Sequence, residues 1–478
     1  MFISSTPAAR RARTDARGCP LSGATEPALQ AYEAALAAFQ NWRRGAESLL
    51  EAALREAPEF VMVHVLQAYL LVCSRDPRRV RAAVPVVASL HALPAHAWER
   101  GHIAALHALL ADDIDRAKSH LSELLRLQPR DVLALQVAHA FDYLSGDLPQ
   151  LQGRVAAVLP AWSPRLPGYG TVLAMHAFGL EESGDYAGAT QAALAALQIN
   201  PLDARAHHVM AHVHEMSARP VAGLQWMHER AAGWALDTTV ATHCHWHLAL
   251  YHLALGRPDR ALAAHDQHIR GNGSCEVSDL IDASALLWRV DLAEADARPR
   301  WASLSAAWSE RIDDVYCSFN DIHAMLAFVG AQDWHHAQRL VDRLVRSAAQ
   351  PTRHGQTTRL LGLDACRALL AYGCGEHADV VRLLSRLPAS AHRLGGSHAQ
   401  RDVLQLTLQR SLERTDGLRR RGPVRRNDGL ARRLQRGDEV FVRDLGLPQE
   451  AGQRADLQFC VHRDHATFGS AAGNHVAP

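Results

Sequence analysis

Apolar positions along most of this chain recur at three- and four-residue spacing, the period of a helix with one buried face. Strict two-residue alternation bounded by turn signals is nearly absent, so the pattern predicts an all-α protein. Helices are expected over 203–216, 221–235, 239–255 and 259–270. Helical patterning resumes from 278 to about 387, with turns at 330–333 and 373–376. A last helix follows the loop Leu394-Gly395-Gly396-Ser397 and runs through about Glu413. The segment 159–170 carries Pro160, Trp162, Pro164 and Pro167 and reads as a rigid loop.

Internal repetition decides the architecture. The pairs Ala46/Pro58, Ala117/Pro129 and Ala189/Pro201 share a spacing of twelve, and their prolines lie 71 and 72 residues apart. That is two units of the roughly 34-residue tetratricopeptide helix pair. Gly184-Asp185-Tyr186, followed by Ala189, Ala196 and Pro201, fits the second half of one unit. Gly-Asp makes the turn, small alanines allow close approach, and proline ends one pair before the next begins. At 478 residues the chain exceeds what one core usually serves, about 250–300 residues. A tetratricopeptide-like helical-repeat solenoid, a superhelix of antiparallel helix pairs closed into a compact form, accounts for the length. The expected divisions are an N-terminal arm over 1–25, the solenoid over 26–410 and a basic, disordered tail over 411–478.

Charge narrows the partners. Fifty-one basic against fifty acidic residues leave +1, with no global attraction to nucleic acid or anionic membrane. Lys118 is the sole lysine, and the arginine bias reads as composition rather than phosphate recognition. Eight scattered cysteines lack a C-x-x-C pair and suit free thiols in a reducing compartment. No apolar stretch follows Arg10, Arg11 and Arg13, and the most apolar window, 60–73, is too short to span a bilayer. The expectation is a cytoplasmic protein with neither nucleic acid nor membrane as partner.

Familiar catalytic signatures are missing. No glycine-rich loop precedes Lys118, His214-Glu215 lacks a second histidine at Ala218, and no G-x-S-x-G elbow or Rossmann fingerprint occurs. What stands out is histidine. His208/His212 and His243/His247 each have the i,i+4 spacing that puts both rings on one helix face. The pairs are offset by 35 residues, one repeat. Four imidazoles are therefore placed to face one another across adjacent inner helices. His139 and His176 extend the ladder backward, and Glu215 shares the face of His208 and His212. Asp266 and His268 follow on the next helix, and Asn320, Asp321 and His323 on a later one.

Three readings of these residues stand. The histidines are buried structural groups; or three or four of His208, His212, His243 and His247 hold zinc or another divalent ion, with Glu215 or Asp266 behind them; or a histidine oriented by Glu215 or Asp266 performs metal-free acid–base chemistry.

The chain also resembles the tetratricopeptide repeat protein 38 family from about Asp15 to Arg410. The match runs through Asp15-Ala16-Arg17, Pro20-Leu21-Ser22, His64, Leu133-Ala134-Leu135 with His139, Phe178-Gly179-Leu180 and Ile199-Asn200-Pro201. It is densest from His208 through Ala211-His212-Val213-His214-Glu215-Met216, His243, Trp246-His247, Ala249-Leu250-Tyr251, Asp266 and His268. It ends with Phe319-Asn320-Asp321, His323, Leu394-Gly395-Gly396-Ser397 and Gln400-Arg401-Asp402. His207 and His245 depart from the family pattern and are left out of the site. The resemblance implies the solenoid fold and no particular reaction.

The sequence thus supports first a protein that binds a peptide or small molecule in a histidine- and acid-lined concave groove. Groove candidates are His64, His139, His176, Asn320, Asp321, His323, Gln400, Arg401 and Asp402, with Asp279, Asp282 and the 395–402 loop approaching the same concavity. The alternative is an enzyme in that groove, with His208, His212, Glu215, His243, His247, Asp266 and His268 as its catalytic candidates.

Overall fold

Two inner helices of the central repeats start at an aspartate two residues after a proline, whereas the one between them starts at Gly168. Asp131 follows Pro129 and accepts from Ala134 N at 2.9 Å; Asp203 follows Pro201 and accepts from Ala206 N at 3.0 Å. Such caps contribute about 1 kcal/mol each and set where the helix begins. The computed structural model describes residues 13–314 and 316–420, and its order of elements is almost wholly helical. Helix pairs stack as an all-α repeat solenoid. The alanines of the repeat pattern lie in the packed contacts, with Ala117 and Ala189 fully buried.

Residues up to Leu412 form one compact unit. A second begins at Glu413, of which only the end of the helix His398–Arg420 is described. That helix outruns the expected end near Glu413. The rest of the expected tail, like residues 1–12, lies outside the described residues. The N-terminal arm holds two short strands the periodicity did not predict, Arg13–Thr14 paired antiparallel with Pro20–Leu21.

Other differences have local causes. The helix expected over 221–235 is two, Pro220–Glu229 and Ala231–Trp234. The break at Arg230 turns Trp234 inward, where its Nε1 donates to Met227 O at 2.9 Å. The next outer helix, Pro258–Ala264, ends in a wider π-helical turn over His265–Ile269. The segment after Leu159 is a 3₁₀ turn and loop leading to the helix Tyr169–Glu182, as its prolines predict.

Within the first unit the superhelix closes on itself. Trp42 O accepts from Thr239 N at 2.8 Å, and the Arg43 guanidinium donates to the carbonyls of Leu236 and Gly233. On the other side Arg311 pairs with Asp76 at 3.0 Å, and Arg78 and Arg81 with Asp314 at 2.7 and 2.6 Å. The chain then folds back inside. Gly395 and Gly396 have φ of +79° and +80°, and a Cβ on Gly396 would lie 2.2 Å from the Phe319 ring. This turn delivers the start of the helix His398–Arg420 against the inner helices: Trp288 Nε1 donates to Thr407 Oγ1 at 2.9 Å, and Arg289 to Ala399 O at 2.7 Å. Among the described residues, no helix is long and apolar enough to cross a membrane.

Candidate metal centre

Two consecutive inner helices, Ala204–Met216 and Ala241–Ala254, carry the histidine pairs. Tyr251 Oη donates to Ala211 O at 2.6 Å and holds the helices in a register that brings the pairs level. Nitrogens of His208, His212, His243 and His247, one from each ring, all lie within 4.8 Å of one another. His212 and His247 are fully buried, and His208 nearly so. His243 keeps 18% of its side chain open, so solvent or a small molecule meets the cluster from its side.

The six ring-to-ring separations run from 4.5 Å (His208–His212 and His212–His247) to 6.4 Å (His212–His243). Four imidazoles bound through Nε2 to a tetrahedral zinc at about 2.05 Å would have centroids about 5.2 Å apart. The observed values bracket that distance. His208 Nε2 and His212 Nε2 are already 3.0 Å apart, against about 3.3 Å expected between ligands of such a centre.

Carboxylates set the orientation. His243 Nδ1 donates to Asp282 at 2.9 Å, and His247 Nδ1 to Glu215 at 2.6 Å. Each bond leaves Nε2 as the free, electron-rich nitrogen, the arrangement that orients metal-binding histidines. The Nε2 of His247 is buried without a hydrogen-bond partner. Glu181 Oε2 lies 3.8 Å from His212 Nδ1 and backs a third ring. Trp246 stacks on His243 at 5.1 Å, and Trp42 meets His208 edge-on at 5.4 Å.

The electrostatics keep three of the rings neutral. Burial, followed by repulsion from neighbouring rings, lowers His208, His212 and His247 well below the ordinary value of 6.5. Neutral imidazole is the metal-binding form. Burial raises the Glu215 carboxyl to about 7 and pushes Glu181 well up. Burial also opposes ionisation of Glu182, but His398 and Arg401 hold it below its ordinary value. Both oxygens of Glu181 are buried with no hydrogen bond. A divalent ion among the rings would supply the positive charge these carboxylates face.

Several sequence candidates sit elsewhere. Asp266 is not behind the cluster; the π-helical turn carries it outward to Arg300, at 2.8 and 2.6 Å. His268, on the same turn, is exposed and stacks on His245 at 3.9 Å. Asp282, from the next inner helix, takes the place expected of Asp266. His64 also lies apart: its Nε2 meets Pro58 O at 2.8 Å, six residues back, as His207 Nε2 meets Pro201 O at 2.9 Å. Both are the same repeat device, tying the helix to the proline turn. His176 is half-buried, and no partner reaches its Nδ1 among the described residues.

The later candidates line the interior without joining the rings. Gln400 Oε1 accepts from Tyr143 Oη at 2.8 Å, Arg401 lies 3.6 Å from Glu182, and Asp402 pairs with Arg289. Asn320 donates to Arg75 O at 3.1 Å, and Asp321 accepts from His354 at 3.1 Å. Sequence reasoning missed Glu181, Glu182, His398 and Trp42. One signal was present for the glutamates: two acids in the last turn of a helix oppose its dipole, which calls for another reason to be there.

His139 donates from Nε2 to Met175 O at 3.1 Å, and His323 from Nδ1 to Phe319 O at 2.7 Å. Burial drives His139 down to about 3 and His323 to about 4. Folding therefore excludes two protons that the unfolded chain binds below 6.5. The stability they contribute is whole above that pH and is lost as pH falls toward 4. The limiting slope is about 1.4 kcal/mol per group per pH unit, and because the unfolded histidines are half-protonated at pH 6.5 the pair accounts for roughly 3 kcal/mol between pH 6.5 and 5. Denaturation midpoints of wild type and a His139→Gln/His323→Gln double variant, followed across that range, should differ in slope by about two protons. An unchanged slope would contradict this.

No protein-family model matches the chain. Among solved structures it is similar to the crystal structure of the P58(IPK) TPR domain, at 13% sequence identity, over 82% of this chain and 98% of that one, with a TM-score of 0.21. A likeness this slight carries no argument about the site, and the fold class stands on the helix pairs themselves.

Proposed function

We propose that this helical-repeat protein holds one divalent transition-metal ion in its interior on His208, His212, His243 and His247. The observation that carries the reading is the convergence of four imidazole nitrogens, three from buried rings and one from the partly open His243, two of them aimed by Asp282 and Glu215. An all-imidazole set suits zinc, copper, iron or nickel and disfavours magnesium and calcium; zinc is the first expectation. Such an ion supplies Lewis acidity, and any open position faces the accessible side of His243, beside Asp282. The surrounding residues would orient a substrate and keep bulk water out. Membership of the tetratricopeptide repeat protein 38 family is part of this proposal, since several of the polar residues that carry the resemblance, though not His64, Asp266 or His268, gather around this interior.

A second reading is a ligand-binding groove without metal. The segment 394–408 of the chain itself lies against the inner helices, which favours a small molecule over an extended peptide. Metal content of untagged protein, loaded with zinc and freed of excess, tests the first reading. About one equivalent per chain, removed by chelation, is expected. Protein that retains none would overturn it.

A further inference from the structure

A cavity of about 60 Å³, lined in part by His354, lies apart from the four histidines of the metal centre, beneath the Gly395-Gly396 turn. Phe141, Leu144 and Phe319 give it apolar walls, while Arg75, Arg353 and Arg393 bring guanidinium groups to it. Its borders include Phe319 and Leu394-Gly395-Gly396, sequence motifs that the metal centre does not use. Only glycine at 396 lets the chain pass the Phe319 ring so closely.

Charge in this cavity is unbalanced. Arg353 pairs with Asp115 at 2.9 Å. Asp112, the acid lining the cavity, accepts from the backbone of His354 at 3.1 Å. Among the described residues no carboxylate pairs with Arg75 or Arg393. The Arg75 guanidinium lies 4.9 Å from the Tyr143 ring centre and 5.5 Å from that of Phe319, two aromatic faces that fix it in place. Its backbone φ of +58° is shared by Asp112, Ala218, Glu294 and Gln332. The guanidinium, and not the backbone, is therefore what distinguishes this turn.

We propose that the cavity binds a small carboxylate with a short apolar chain. Arg75 holds the carboxylate by charge-assisted hydrogen bonds, Arg393 adds charge at the mouth, and the chain lies against Phe141, Leu144 and Phe319. The planar fork of arginine matches a carboxylate in two parallel bonds. At about 10–15 Å³ per water-sized group, the volume holds roughly four to six non-hydrogen atoms, the size of acetate to butyrate. Tyr143 and Phe178, 5.5 Å apart, stand between Arg75 and His212, so this site does not depend on the metal reading.

The test is calorimetric titration of chelated full-length protein with propionate, n-propanol and inorganic phosphate at fixed ionic strength. Propionate should bind at least tenfold more tightly than either of the others. Arg75→Gln should weaken it about tenfold or more, and Arg393→Gln, an exposed change that leaves packing alone, severalfold. No propionate binding, or equal affinity for propionate and phosphate, would overturn the proposal. So would propionate affinity unchanged in Arg393→Gln together with a folded Arg75→Gln. If Arg75→Gln does not fold, Arg393→Gln alone decides.

Discussion

Replacing His212 with leucine is expected to weaken metal binding strongly while leaving the metal-free protein about as stable as wild type. His212 is fully buried among three other rings, and its Nδ1 has no hydrogen-bond partner. An unsatisfied buried polar atom costs about 1–3 kcal/mol, so in the absence of metal the cluster weakens its own surroundings. Leucine fills similar space without that cost. With metal the difference is large. Free zinc at a thousand times its dissociation constant stabilises a folded protein by about 4 kcal/mol, and the variant should lose most of this gain. Thermal unfolding of both proteins with zinc and with chelator measures it, and the zinc-minus-chelator difference separates ligation from packing. Equal destabilisation of His212→Leu in both conditions would instead mark a structural histidine. Asp282→Asn, which removes the acceptor behind His243, should weaken zinc by about 10–100-fold with the fold intact.

Asp142→Ala is expected to be the most damaging single substitution away from the rings. Asp142 is fully buried and accepts from Arg154 at 2.6 and 3.1 Å, while Lys118 lies 3.0 Å from its Oδ1. Lys118 has a second partner in Asp147 at 2.5 Å, but the Arg154 guanidinium keeps only Ser122 Oγ, at 2.7 Å. Breaking a buried ion network by removing one member typically costs about 3–5 kcal/mol, because the stranded charge remains in low dielectric. Denaturant unfolding should show a loss of that order in the transition of the first repeats, and a loss below about 1 kcal/mol would mean that Arg154 reaches water. The sole lysine of the chain is thus a structural cation between two aspartates.

The repeat register was legible because it rests on local chemistry. Alanine at the packed positions, Gly-Asp turns and a proline between pairs each act within a few residues, and the structure places them as expected, while the capping Asp131 and Asp203 were not foreseen. The 35-residue offset of the histidine pairs was legible for the same reason, since identical helices stacked in one register bring equivalent positions level. What was not legible depends on how the superhelix curves. Asp282 reaches His243 from 39 positions away and Glu181 reaches His212 from the preceding inner helix, whereas Asp266, nearer in sequence to His243, is carried outward on a π-helical turn. Periodicity predicts a face but not the neighbour it meets. Trp42 illustrates this limit: it comes from the first repeat to His208 because the ends of the superhelical turn close on each other. His64 and His207 each stand six residues after a proline, and the structure shows both rings bonded to that proline's carbonyl.

X-ray absorption at the metal edge of the zinc-loaded protein tests the central claim most directly. Four nitrogen donors at about 2.0–2.1 Å, with the outer-sphere scattering of imidazole rings, are predicted. A shell containing sulfur, one dominated by oxygen, or fewer than three imidazoles would place the ion elsewhere and contradict the account.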